Sequence, residues 1–146
     1  MTFEFTNIEL EAFNQEGFLV RESALLAHET AALRRATDHV VQKALAMVAD
    51  AGAQRYELDG NMFADIEHTT VQFEHHQGAA EIRVIEPAHE LHEEFASLVH
   101  DPRLVRPMCQ LVNSPQVALW TAKLNLKSSR VGSGFAWHQD TPYWVH

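Results

Sequence analysis

His138-Gln139-Asp140 is the stretch of this sequence whose residue types and spacing carry the sharpest chemistry. On an extended strand, residues two apart project to the same side. His138 and Asp140 would then present an imidazole nitrogen and a carboxylate oxygen side by side. Those are two of the three donors of a 2-His-1-carboxylate facial set, which holds non-haem Fe(II) and leaves coordination positions open for reactants. The pattern is short, and a surface His–Asp pair is the plain alternative.

Other groupings are weaker. His89-Glu90-Leu91-His92-Glu93-Glu94 lies close to the zinc-protease helix pattern, but that site needs histidines four apart and position 93 is Glu. It reads as a solvated helix face. His75 and His76 are adjacent and would point apart on a strand. Cys109 sits among apolar helix positions and reads as a buried thiol. Trp120 reads as core. Glu57, Asp59, Asp65 and Glu67 match no calcium loop.

The elements that must position these residues follow from periodicity. Thr6 and Glu9 have capping-box spacing, Leu10 and Phe13 follow on one helical face, and Gly17 suits the stop. Phe18-Leu19-Val20 reads as a short strand. From about 28 to 50, Leu33, Ala36, Val40, Ala44, Met47 and Val48 recur at helical spacing. Residues 53–78 read only as short strands or an irregular excursion. A strand over 81–85 ends at Pro87, and a helix over 88–99 turns Leu91, Phe95, Leu98 and Val99 inward. Asp101-Pro102 caps a further helix, in which Pro107 is an expected kink. From Val117 to Lys127 the residues alternate. Leu119, Thr121, Lys123, Asn125 and Lys127 share one face, and a polar loop from Ser128 to Gly134 leads into a strand over 135–140. The expectation is one α+β domain over 1–146, helical over 1–112 and strand-rich over 113–146.

Composition narrows the function. Twenty acidic against 11 basic residues give a net charge of −9, with no basic cluster for a nucleic-acid backbone. No apolar run reaches the roughly 20 residues of a membrane span. The N-terminus has no secretion-signal pattern, and the single Cys109 points to a reducing compartment, so a cytoplasmic location is expected. Histidine is abundant, at 10 residues.

The segment from Phe135 to Trp144, with Trp137-His138-Gln139-Asp140 at its centre, resembles the phytanoyl-CoA dioxygenase family, which includes the ectoine hydroxylases. Lys123-Leu124-Asn125-Leu126-Lys127 and the Ser128–Gly134 loop precede it as the family's lysine-bearing strand and loop do. The N-terminal helix followed by Gly17-Phe18-Leu19-Val20 fits as well. The resemblance implies N-terminal helices packed on part of a double-stranded β-helix, or jelly roll. It also implies Fe(II), with 2-oxoglutarate and O₂ as cosubstrates, and hydroxylation of a small molecule. His138 and Asp140 fall on iron ligands. Lys127, with Lys123 as second choice, falls near the lysine that contacts 2-oxoglutarate. Trp144, and with it Tyr143, falls on the substrate side.

The family's third iron ligand, a downstream His, and the Arg that grips the far carboxylate of 2-oxoglutarate have no counterpart at family spacing. His146 stands only six residues after Asp140. The expectation is therefore an N-terminal part of such a fold. The alternatives are a non-catalytic binding or regulatory protein on the same scaffold, an inactive fragment, or a homo-oligomer or partner that supplies the missing half.

Overall fold

Thr6 starts the first helix, α1 (Asn7–Glu16), through the capping box its spacing predicts. Its hydroxyl accepts from the Glu9 amide at 3.3 Å, and the Glu9 carboxylate accepts from the Thr6 amide at 2.7 Å. Gly17 ends the helix at φ 78°, a conformation that needs no Cβ. The computed structural model describes residues 3–50, 52–76 and 78–139.

Helix α2 (Ala27–Ala49) buries Ala36, Val40, Ala44 and Val48, a stripe at four-residue spacing that carries one face onto the sheet. The sheet contains β1 (Gln54–Leu58), β2 (Asn61–Ile66), β3 (Thr69–Phe73), β4 (Ile82–Glu86) and β5 (Leu124–Asn125), antiparallel in that order. Asp59 and Gly60 both have positive φ and close the β1–β2 hairpin in two residues. One register row runs Arg55, Ala64, Val71, Ile85, Leu124; its three middle members are fully buried and meet Val40, Ala44 and Val48 of α2. The neighbouring row, Tyr56, Phe63, Gln72, Val84 and Asn125, alternates to the other face. That face is polar. Asp65 accepts from Thr70 Oγ1 at 2.7 Å and from the Tyr56 hydroxyl at 3.4 Å, while Gln72 donates to Asn61 at 3.3 Å.

After β4, a 3-10 turn (Ala88–Glu90) leads to α3 (Glu93–Leu98) and α4 (Pro102–Leu111). Asp101 caps α4 by accepting from the Arg103 amide at 2.8 Å, with Pro102 in the first turn as expected and Pro107 buried inside the helix. Arg103 then bridges elements distant in sequence, reaching Glu29 at the start of α2 at 2.7 Å and also Asp101. Among the described residues no helix is long and apolar enough to cross a membrane.

Several expected elements differ. Of the five strands among the described residues, four lie between 54 and 86, not after 112. Their alternation is blurred in sequence because the core side takes Arg55, Ala64 and Thr69 while aromatic Tyr56 and Phe63 take the other side. Phe18-Leu19-Val20 forms no strand, and Phe18 and Val20 are exposed. Among the described residues, only Leu124–Asn125 of the alternating run 117–127 pairs, and 135–139 form no strand. An alternating pattern makes a strand only where a neighbour offers its edge. The expected helix 88–99 breaks at His92, whose Nδ1 accepts from the Glu94 amide at 3.2 Å and caps α3. The His89–Glu94 run is therefore a turn and a cap, not one helical face.

Ile85→Ala, emptying a fully buried site, should cost roughly 2–5 kcal/mol in denaturant unfolding. Hydrogen bonds from Arg103 hold Glu29 down to about 2, and those from Arg21 hold Glu9 down to about 2, both from an ordinary 4.5. Their contribution is complete above the ordinary value and disappears as pH falls toward about 2. Glu29→Gln should therefore flatten the decline of Tm with pH across that window.

Candidate metal centre

The segment that carries His138 leaves the sheet after β5 and is fastened back to it by a buried ion pair. Glu74, just past β3, is 2% exposed, and Arg83 in β4 is 5% exposed. Arg83 Nη1 lies 3.6 Å from Glu74 Oε2. The same oxygen accepts from the Ser133 amide at 2.8 Å. Arg83 donates to the carbonyls of Ser133 and Gly134 at 3.4 and 3.3 Å, and its guanidinium stands 5.2 Å from the Phe135 ring centre. The His75 amide donates to Ser133 Oγ at 3.2 Å. The amide, carbonyl and hydroxyl of Ser133 are thus all engaged by the β3–β4 end of the sheet. The Ser133 amide above all, together with the Arg83 charge, holds the Glu74 carboxyl below the ordinary carboxylate range against the opposing push of burial.

The neck of this loop is tight. The Gly132 amide donates to Ser128 O at 2.9 Å, and a Cβ on Gly132 would lie 2.8 Å from that oxygen. Four residues beyond Gly134, His138 is exposed and packs beside Phe135 with ring centres 4.8 Å apart. Its Nδ1 lies 2.9 Å from the Ala136 carbonyl. A carbonyl only accepts, so this bond puts the proton on Nδ1 and the lone pair on Nε2. That is the tautomer of a metal-ligating imidazole oriented through its other nitrogen. The donor chemistry of His138 therefore fits a divalent metal.

Asp140, Tyr143 and Trp144 lie outside the described residues, as does His146. Lys123 Nζ is 3.1 Å from Glu86 Oε2, and the Thr121 hydroxyl donates to the other Glu86 oxygen. Lys127 lines a groove of about 290 Å³ with Arg83, Asn125, Leu126, Ser133 and Phe135. The two lysines thus sit in different surroundings, one against Glu86 and one beside Arg83. Among the described residues no three His, Cys, Asp or Glu side chains converge as a metal site.

Glu74, Arg83 and Glu86 carry the site's electrostatics without any motif to announce them. The available signal is an arginine inside the apolar run Ile82-Arg83-Val84-Ile85, because a buried guanidinium demands an anion. Trp120, expected in the core, is 79% exposed. Cys109 is half-buried rather than buried, on a second groove of about 390 Å³ with Glu4, Arg106 and Asn113. Its helix keeps one flank on the surface.

The sequence model of the family Phytanoyl-CoA dioxygenase (PhyH) matches residues 13–145, and the chain belongs to that family. It is 34% identical over 70 residues to an L-proline trans-4-hydroxylase of Streptomyces griseoviridis, a stretch covering 48% of this chain and 26% of that protein. It is 27% identical over 136 residues to an ectoine dioxygenase of Streptomyces coelicolor, covering 93% of this chain and 38% of the relative. A third relative, an ectoine dioxygenase of Streptomyces avermitilis, is 38% identical over 64 residues, 44% of this chain and 21% of its own. The chain thus spans less than two fifths of the length of these curated relatives. No solved structure matches it.

The loop geometry predicts a contrast between two glycines. Gly132→Ala must push the Ser128 carbonyl aside, whereas a Cβ at Gly134 meets nothing within 4 Å. Amide exchange across 128–134 should rise in Gly132→Ala and stay near wild type in Gly134→Ala.

Proposed function

We propose that this chain contributes His138 and Asp140 as iron ligands to an Fe(II)/2-oxoglutarate-dependent hydroxylase of a small molecule. The observation that carries the proposal is the Nδ1 bond of His138 to a carbonyl, which leaves Nε2 as the donor, in a segment fastened to the sheet by Glu74 and Arg83. Family membership supports it. The fold proposed is one domain built on a double-stranded β-helix. The antiparallel sheet with α2 on its apolar face accords with that, and the polar face of Tyr56, Asp65, Gln72 and Asn125 would then look into the pocket.

The chemistry that Fe(II) supplies in such a site is oxidation of 2-oxoglutarate by O₂ to succinate and CO₂, coupled to hydroxylation of a substrate C–H bond. The protein's task is to bind, orient and exclude. His138 and Asp140 supply one neutral and one anionic donor. Lys127, beside Arg83, is the first candidate to hold a 2-oxoglutarate carboxylate, and Lys123 is the second because Glu86 already shares its charge. Tyr143 and Trp144 would flank the substrate. L-Proline and ectoine, named by the relatives, make small amino-acid derivatives the substrate class to try first. One cysteine and the absence of a basic cluster are in keeping with a cytoplasmic enzyme that binds no nucleic acid.

Succinate release should be measured with the longest natural form of the chain, Fe(II), 2-oxoglutarate and either substrate. His138→Ala and Asp140→Ala should each reduce it to background; unchanged turnover in both would end the proposal. Lys127→Ala should raise KM for 2-oxoglutarate roughly 10- to 100-fold, the loss expected for one charge-assisted bond. A comparable rise in Lys123→Ala with none in Lys127→Ala would exchange the two roles.

A further inference from the structure

We infer that Glu74 and Arg83 are positioning residues for the metal-binding segment, holding His138 in place through the main chain of Ser133 and Gly134. The inference rests on the iron-site proposal above and deepens it.

The first observation is the fastening itself. Among the described residues, 135–139 form no strand, and Phe135 and Trp137 are largely exposed. The bonds at Ser133 and Gly134 tie this segment to the rigid sheet, and three of them are made by Glu74 and Arg83. From Gly134 to His138 is only four residues, so a shift at the fastening is passed on with little slack.

The second observation is that the pair is a costly way to hold two strands together. Glu74 Oε1 is buried and has no hydrogen-bond partner among the described residues. A carboxylate with one oxygen unsatisfied, facing a guanidinium at 3.6 Å, is weaker than a bidentate pair. A pair of apolar side chains of similar volume would stabilise β3 and β4 as well or better. Such a replacement would lose one specific thing, the donors and acceptor that fix the Ser133–Gly134 backbone.

The third observation is chemical fit. Arg83 offers a fork whose two nitrogens reach two successive carbonyls, while its Cζ stands over the Phe135 ring, which packs beside His138. A lysine carries the same charge but has no fork and no planar face. The arrangement thus orients both the backbone and the aromatic neighbour of the ligand.

The experiment uses the longest natural form of the chain, with Arg83→Lys and the double variant Glu74→Leu/Arg83→Met. Thermal unfolding establishes that each is folded. The double variant removes both buried charges together, and Arg83→Lys keeps the charge, so the test survives if either one fails to fold. Co(II) is titrated in and followed by its visible ligand-field absorption, and amide exchange is measured over 133–138. His138→Ala is run in parallel. The expected result is a 10- to 100-fold weaker Co(II) affinity in the folded pair variants, the usual scale for an outer group that orients a ligand. It should come with faster exchange over 133–138 and an unfolding temperature close to wild type. Wild-type Co(II) affinity in the folded pair variants overturns the inference while leaving the iron site standing, provided His138→Ala abolishes the absorption. If His138→Ala binds Co(II) as wild type does, the iron-site proposal itself has failed and the inference falls with it.

Discussion

A guanidinium and a carboxylate taken out of water impose more on this fold than any apolar contact does. Glu74 and Arg83 are nearly inaccessible, and each must find partners or carry the cost of desolvation. They find each other and the backbone of Ser133 and Gly134. That requirement brings a loop from the far end of the described chain against the β3–β4 end of the sheet. The apolar core does not specify this contact, since Val40, Ala44, Val71 and Ile85 satisfy one another without it. The core makes the sheet rigid, and the buried pair holds Ser133 and Gly134 against it.

The two faces of the sheet divide the work. One face gives its side chains to α2 and is dry. The other keeps its polar side chains in bonded groups: Tyr56 and Thr70 on Asp65, Gln72 on Asn61, and Thr121 and Lys123 on Glu86. A surface of half-buried, mutually bonded polar groups is pre-organised to meet a polar ligand, because its dipoles are already fixed. The proposed site's lysines lie apart, Lys123 against Glu86 and Lys127 in the groove beside Arg83.

What was legible in the sequence was local. Thr6 with Glu9, Gly17, the four-residue stripe of α2, and Asp101-Pro102 each carry their own stereochemistry, and each appears as expected. The β1–β2 hairpin had a signal in Asp59-Gly60 that the weak alternation around it obscured. Arg55 and Ala64 on the core side against Tyr56 and Phe63 on the other cancel the contrast that marks a half-buried strand. Among the described residues of the strands expected over 117–127 and 135–140, only Leu124–Asn125 pairs, because alternation says which faces differ but not whether an edge is free to pair. The stretch around His138 carried the resemblance to the family, and the chain belongs to that family. Its supports were not legible, because Glu74 and Ser133 are 59 residues apart and only the fold makes them neighbours.

The central claim is that His138 and Asp140 hold a metal to which 2-oxoglutarate binds. Its most direct test is the visible charge-transfer absorption that forms when 2-oxoglutarate chelates protein-bound Fe(II) in the absence of O₂. In the longest natural form of the chain the band should appear on adding 2-oxoglutarate, and it should be lost in His138→Ala and in Asp140→Ala. A folded wild-type protein that gives no band, or a band that survives both substitutions, would contradict the account.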